Sequence, residues 1–154
     1  MFRLLNSFFL AALLVVSGLA QGKEVLPFDE AAWTQLRLAA RRPLAVVFTT
    51  TDCEYCPAVI AGLARQLHRP GSKAKLAVVV MDTAQKDVSV LSGRHYTHAD
   101  QLYAFSGAPD RLRYVVDPEW KGVTPYVVLL DRNGGQRGFL GMPPAGALKG
   151  TFIP

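Results

Sequence analysis

Leu44-Ala45-Val46-Val47-Phe48-Thr49-Thr50-Thr51-Asp52-Cys53-Glu54-Tyr55-Cys56-Pro57 decides how this chain is read. Residues 44–50 are a short, near-continuously apolar run, the pattern of a buried strand. The run ends in hydroxylated residues and passes into a Cys-x-x-Cys that opens a helical-looking segment. Cys53 and Cys56 are the only two cysteines of the chain, so each thiol has one intramolecular partner. On a helix, positions i and i+3 share a face, so the sulfurs can meet as a disulfide or open as a dithiol. A helix beginning here aims its amide dipoles at Cys53 and favours the thiolate, the reactive form of the thiol.

Working outward, the chain punctuates cleanly for part of its length. Upstream, residues 21–28 read as a lead-in and residues 29–41 as an amphipathic helix carrying Trp33, Leu36 and Leu38, with Asp29 as its cap and Pro43 as its stop. Downstream, residues 54–68 read as a helix with Val59, Ile60, Leu63 and Leu67 on one side. Pro57 lies in its first turn, where a missing N–H costs little, and Pro70-Gly71 ends it. Leu76 to Met81 is a second buried strand. Residues 83–113 are polar, with a short helix expected around Ala99–Phe105 and a loop at Gly107, Pro109 and Asp110. Tyr114-Val115-Val116 reads as a short strand. Tyr126–Leu130 is a strand, Asp131-Arg132-Asn133-Gly134-Gly135 a hairpin turn, and Gln136–Leu140 the return strand. Strand–helix–strand followed by an antiparallel hairpin predicts a mixed sheet with helices on both faces.

Composition bounds the class. The chain has 154 residues, half of them apolar, which is enough for one domain with a real core. Arg3, the apolar stretch Leu4–Val16 and the small residues Gly18-Leu19-Ala20 have the layout of a secretory signal, with cleavage expected after Ala20. The expected organisation is therefore a signal peptide at 1–20 and one domain at 21–154, in the periplasm. Cleavage removes Arg3 and no acid, taking the net charge from +5 to +4. The basic residues are scattered, with only Arg41 and Arg42 adjacent, which is no nucleic-acid footprint. In an oxidising compartment a vicinal cysteine pair either rests as a disulfide or needs a dedicated reductant.

The element order, with Cys-x-x-Cys at the first strand-to-helix junction, resembles the thioredoxin superfamily, and the exported context resembles its TlpA-like (redoxin) branch. Three places carry the resemblance: Cys53–Cys56 after Leu44–Phe48; Thr124-Pro125 immediately before Tyr126–Leu130, where the family keeps a cis-proline; and the stretch Asp117–Gly134 that runs through that proline into the hairpin. The resemblance spans residues 29–142. It implies a thioredoxin-like three-layer α/β/α sandwich with a mixed central sheet. It implies that Cys53 is the nucleophile and Cys56 the resolving thiol, that Thr124 and exposed Tyr55 touch substrate, and that Pro125 shields the sulfurs. It further implies protein thiol or disulfide substrates, such as apocytochrome c or a copper-site protein. A membrane electron donor would recharge the pair; a monomer is expected, and no cofactor.

The chain departs from the family pattern in several places. Asp52 stands where a tryptophan usually precedes the first cysteine. Val47 stands where thioredoxin has a buried acid, so no carboxylate is obvious as proton acceptor for Cys56. Glu54-Tyr55 lacks the usual proline, and Pro143, Pro144, Gly146 and Gly150 leave little room for a C-terminal helix. Asp52 and Glu54 place negative charge on both sides of Cys53, which opposes its thiolate. That favours a reducing protein with a fairly stable disulfide.

Two other uses of the same residues are open at this level. One is a copper metallochaperone, which needs more than two soft ligands and would draw on His95 or His98; His68 is the remaining histidine. The other is a non-catalytic thioredoxin-like binding module. Trp120 can pack in the core or line a substrate groove, the remaining aromatics are expected to be mostly packing, and Asp100 and Asp117 read as a helix-start charge and a turn residue.

Overall fold

The computed structural model describes residues 23–38 and 43–152. The signal sequence expected at 1–20 and the Arg41-Arg42 pair lie outside them. The elements are β1 (Val25–Phe28), α1 (Glu30–Leu38), β2 (Leu44–Thr49), α2 (Cys56–Leu67), β3 (Lys75–Val80), α3 (Val88–Leu91), a 3-10 turn (Arg94–His98), β4 (Gln101–Phe105), α4 (Pro109–Val116), β5 (Tyr126–Leu130), β6 (Gln136–Leu140) and α5 (Ala145–Leu148). The six strands form one sheet in the order β1-β4-β3-β2-β5-β6. The β1/β4, β4/β3 and β3/β2 pairs are parallel, while β2/β5 and β5/β6 are antiparallel. Among the described residues no helix is long and apolar enough to cross a membrane.

Both faces of the sheet are covered, which is why Leu44–Phe48 of β2, Leu76–Val80 of β3 and Tyr126–Leu130 of β5 form near-continuous apolar runs. Successive strand side chains point to opposite faces. On one face Ala45, Val47, Leu76, Val78, Val80, Val127 and Leu129 pack against Val59, Ile60, Leu63 and Leu67 of α2, with Tyr96, Leu148 and Phe152 completing the layer. On the other, Val46, Phe48, Ala77, Val79, Tyr126, Val128 and Leu130 meet Trp33 and Leu36 of α1 and Leu112 and Val116 of α4. Ile60 and Leu63 are fully buried, and truncating either to Ala costs about 2–5 kcal/mol. Phe28 joins the second face, packing edge-on to Phe48 at 5.5 Å between centroids.

Asp29 caps α1 as expected, its Oδ1 accepting from the Ala32 amide at 2.7 Å. The hairpin turn also forms: Asp131 Oδ1 accepts from the amides of Asn133 at 2.8 Å and Gly135 at 2.9 Å, and Gly134 takes φ +80°.

Five expectations are corrected. The lead-in contains β1, a parallel edge strand on β4; four residues with a proline in their midst carry too little periodicity to be recognised. The helix expected at Ala99–Phe105 is β4, inserted between β1 and β3, because Leu102 and Tyr103 each find an apolar face on opposite sides of the sheet. The strand expected at Tyr114–Val116 is the last turn of α4. Pro109, read as a loop residue, starts that helix, where its lack of an N–H is harmless. Asp100 begins no helix; it accepts from the Leu76 amide at 2.8 Å, Lys75 Nζ at 2.9 Å and His68 Nε2 at 3.0 Å, tying β3 to the segment entering β4.

Candidate active site

Register places the site. Phe48 of β2 lies opposite Tyr126 of β5, so the loop leaving β2 and the residues entering β5 emerge at one edge of the sheet. Thr49 of β2 lies beside Val80 of β3, so residues two beyond each strand are also level. Three segments therefore converge there: 50–55, 123–125 and 81–83.

The first carries the cysteines. Helix α2 begins at Cys56, two residues later than the expected start at residue 54, so Cys53 sits in the turn before it and not on its first turn. The Cys53 amide donates to Thr50 O and the Cys56 amide to Cys53 O, both at 3.3 Å. This turn brings the Cα atoms to 5.4 Å, and the two cysteines form a disulfide. Cys53 is part-exposed and Cys56 is 1% exposed. A thiol entering from solvent therefore meets Cys53, and Cys56 is held back under it. Helix α2 has no side-chain N-cap, and Pro57 occupies its first turn. The aligned peptide dipoles of α2 lend partial positive charge to this end, where an anion is favoured. Asp52, Glu54 and Tyr55 are exposed around the pair, Tyr55 at 73%.

The second segment is Thr124-Pro125, whose peptide bond is cis. Pro125 is buried and its carbonyl accepts from the Gly141 amide at 2.8 Å. Thr124 is part-exposed, with its hydroxyl 3.4 Å from that of Thr50. Thr50 thus touches both the cysteine turn and the proline segment. The residues leading into Pro125 are braced from behind. Trp120 is buried, stacks on Tyr126 at 4.5 Å between centroids and 10° between planes, and donates its indole N–H to Val123 O at 2.9 Å. Of the two roles open for Trp120, it takes the packing one. Asp117, read as a turn residue, accepts from the Glu119 amide at 2.9 Å and from the Tyr126 hydroxyl. Burial and that carboxylate push the Tyr126 hydroxyl well above the ordinary tyrosine range.

The third segment carries Asp82, a residue that no sequence motif singles out. Its carboxylate accepts from the Thr51 amide at 3.0 Å and 2.9 Å on its two oxygens and from the Thr51 hydroxyl at 2.6 Å. A polar residue two positions past a buried parallel strand, next to a strand ending in a cysteine turn, is the signal that could have found it. Burial, with a smaller contribution from the Asp82 charge, raises the Tyr96 hydroxyl.

The histidines do not complete a metal site. His95 and His98 lie on the 3-10 turn; burial first, and then His98, lower the His95 imidazole. His68 is engaged by Asp100. Among the described residues no group of three His, Cys, Asp or Glu side chains is placed to hold one metal ion. Among the aromatics, Trp33, Tyr96, Tyr103 and Trp120 are buried, while Tyr114 is 66% exposed on the outer side of α4.

No family model matches the chain, and no curated protein does. Solved structures do. A thioredoxin-related protein from Neisseria meningitidis serogroup B superposes with a TM-score of 0.51 at 16% identity, over 70% of this chain and 79% of that one. A candidate thiol:disulfide interchange protein DsbE from Chlorobium tepidum superposes with a TM-score of 0.50 at 20% identity, over 71% of this chain and 76% of that one. The chain has the thioredoxin fold. Within that fold the Cys53–Cys56 pair stands at the junction of β2 and α2, and Thr124-Pro125 enters β5 beside it. Val47, where thioredoxin has a buried acid, is fully buried among the side chains of the α2 face, so that face offers an apolar floor beneath the helix.

Proposed function

We propose that this chain is an exported thiol–disulfide oxidoreductase that reduces protein disulfides through Cys53 and Cys56. The observation that carries the reading is the asymmetry of the pair: part-exposed Cys53 in the turn before α2, buried Cys56 at the helix start, and the two at disulfide distance. An inert staple gains little from closing so short a loop and has no use for one accessible sulfur.

In the dithiol form Cys53, as thiolate, attacks one sulfur of a substrate disulfide. The substrate S–S bond breaks, one substrate sulfur leaves as a thiolate that takes up a proton, and a mixed disulfide joins Cys53 to the other. Cys56 then gives up its proton and attacks Cys53, releasing the second substrate thiol. Two electrons pass from the protein to the substrate, and the Cys53–Cys56 disulfide remains. A membrane electron donor outside the domain would return the pair to the dithiol. Thr124, with its backbone at the proline entry to β5, and exposed Tyr55 are the residues that would meet the substrate chain, while Pro125 covers the sulfurs. Export rests on the signal-like sequence of residues 1–20.

Trapping tests the reading. A Cys56→Ser variant should accumulate a mixed disulfide with a model protein disulfide, visible as a mass adduct on Cys53 that dithiothreitol releases. Cys53→Ser should accumulate none. Adducts that form equally on either single cysteine contradict the assigned order, and no adduct on either contradicts the activity.

A further inference from the structure

The cysteine turn is anchored mainly from outside itself. Its own hydrogen bonds are two long ones, Cys53 N to Thr50 O and Cys56 N to Cys53 O, both 3.3 Å, and the helix that follows lacks a side-chain cap. Against these stand three contacts from a single side chain: both Asp82 oxygens on the Thr51 amide and one on the Thr51 hydroxyl, at 2.6–3.0 Å. Hydrogen bonds to an ionised acceptor are about twice as strong as neutral ones. Asp82 itself is fixed, because it leaves β3 directly after Met81, whose amide donates to Thr49 O at 2.9 Å. A rigid strand end thus grips the residue two before the nucleophile.

We infer that Asp82 is a positioning residue for Cys53, holding the 50–53 turn in its closed geometry when the disulfide is open. The inference rests on the thiol–disulfide reading of the pair. In the oxidised protein the S–S bond itself fixes the turn, so the grip adds little. In the dithiol nothing covalent does, and Asp82 keeps the sulfurs close and Cys53 at the helix end. Loosening the grip frees the dithiol more than the disulfide. It therefore lowers the equilibrium constant for closing the ring, in which the dithiol and oxidised glutathione give the protein disulfide and two molecules of glutathione. It also slows attack, because a nucleophile must then be ordered at each encounter.

The test is equilibration of the full domain with glutathione redox buffers, together with the rate constant for reduction of a small disulfide by the dithiol. The variants are Asp82→Ala, Asp82→Asn and Thr51→Ala. Asp82→Ala should lower both constants by about threefold to tenfold, since the exposed contacts are lost from both forms but only the dithiol gains freedom from their loss. Asp82→Asn keeps one acceptor for the Thr51 amide but loses the charge and the second oxygen, so both constants should fall between those of wild type and Asp82→Ala. Thr51→Ala removes one contact and should move both in the same direction by about threefold; it decides the matter if Asp82→Ala does not fold. Wild-type constants in folded Asp82→Ala, or in Thr51→Ala when Asp82→Ala does not fold, overturn the inference alone. A wild-type pair that exchanges with neither reagent overturns both this inference and the activity it rests on.

Discussion

The Tyr126 hydroxyl donates to the Asp117 carboxylate, tying the first residue of β5 to the residue that ends α4, across the loop that carries Thr124 and Pro125. That bond, the Trp120 ring stacked on Tyr126 and the Trp120 N–H on Val123 O hold the loop from the side away from the disulfide. Tyr126→Phe removes the hydroxyl and leaves Asp117 with only the Glu119 amide. The variant should lose about 1–2 kcal/mol of stability, seen as a lower urea midpoint at unchanged slope.

The same bond sets an alkaline limit. Tyr126, Tyr96 and Tyr103 all sit above the ordinary tyrosine range, burial being the largest cause in each case. A raised folded-state value means the native chain keeps protons that the unfolded chain has lost. Stability is therefore complete below about pH 10, where an unfolded tyrosine titrates, and falls as pH rises beyond it. Unfolding free energy measured from pH 8 to 11 should decline above about pH 10, and less steeply in Tyr126→Phe. A flat profile contradicts the assignment.

Gly138 on β6 makes the Tyr126–Asp117 bond possible. A Cβ there would collide with the Tyr126 hydroxyl oxygen and sit 2.7 Å from its ring carbon and 3.1 Å from Asp117 Oδ2. A phenol ring is rigid, so Gly138→Ala should cost about 1–3 kcal/mol through overpacking. Part of that cost should vanish when the substitution is made in Tyr126→Phe, giving a double-mutant coupling that distant sites lack.

At the opposite end of the sheet Asp100 provides an acid counterpart. Burial pushes its carboxyl up, but hydrogen bonds from Lys75, the Leu76 amide and His68 outweigh it and hold the group below the ordinary carboxylate range. A depressed value stabilises the fold above the unfolded aspartate value, about pH 4, and the gain is lost as pH falls through the folded one. Asp100→Asn should lower stability at pH 7 by about 1–3 kcal/mol and flatten the dependence of unfolding free energy on pH below about pH 4.

Much of this was legible in the chain. Leu44–Phe48 and Leu76–Val80 are apolar throughout because both faces of their strands are covered, and such runs announce central parallel strands. The hairpin announced itself through Asp131 and Gly134, whose side chain and φ make the turn. What escaped were elements whose identity is decided by neighbours. β1 is four residues long and exists because β4 pairs with it, and β4 reads as neither period because its two ends are polar or half-buried. Tyr114-Val115-Val116 has strand propensity, yet Pro109 and the burial of Leu112 and Val116 on one side make it helix. The cysteine pair was visible at once, since spacing alone defines it. Asp82 was not, because its partner Thr51 is thirty-one residues away in sequence and only the β2/β3 register brings them level.

On the proposed function, Cys53 and Cys56 interconvert between dithiol and disulfide in the service of reduction. The direct measurement is the reduction potential of the pair, by equilibration with dithiothreitol and glutathione buffers followed by alkylation and mass analysis. With Asp52 and Glu54 placing negative charge beside Cys53, a value near the thioredoxin range, about −270 mV, is expected. A value near about −120 mV would make the protein an oxidant, and a pair that exchanges at no poise would contradict the account altogether.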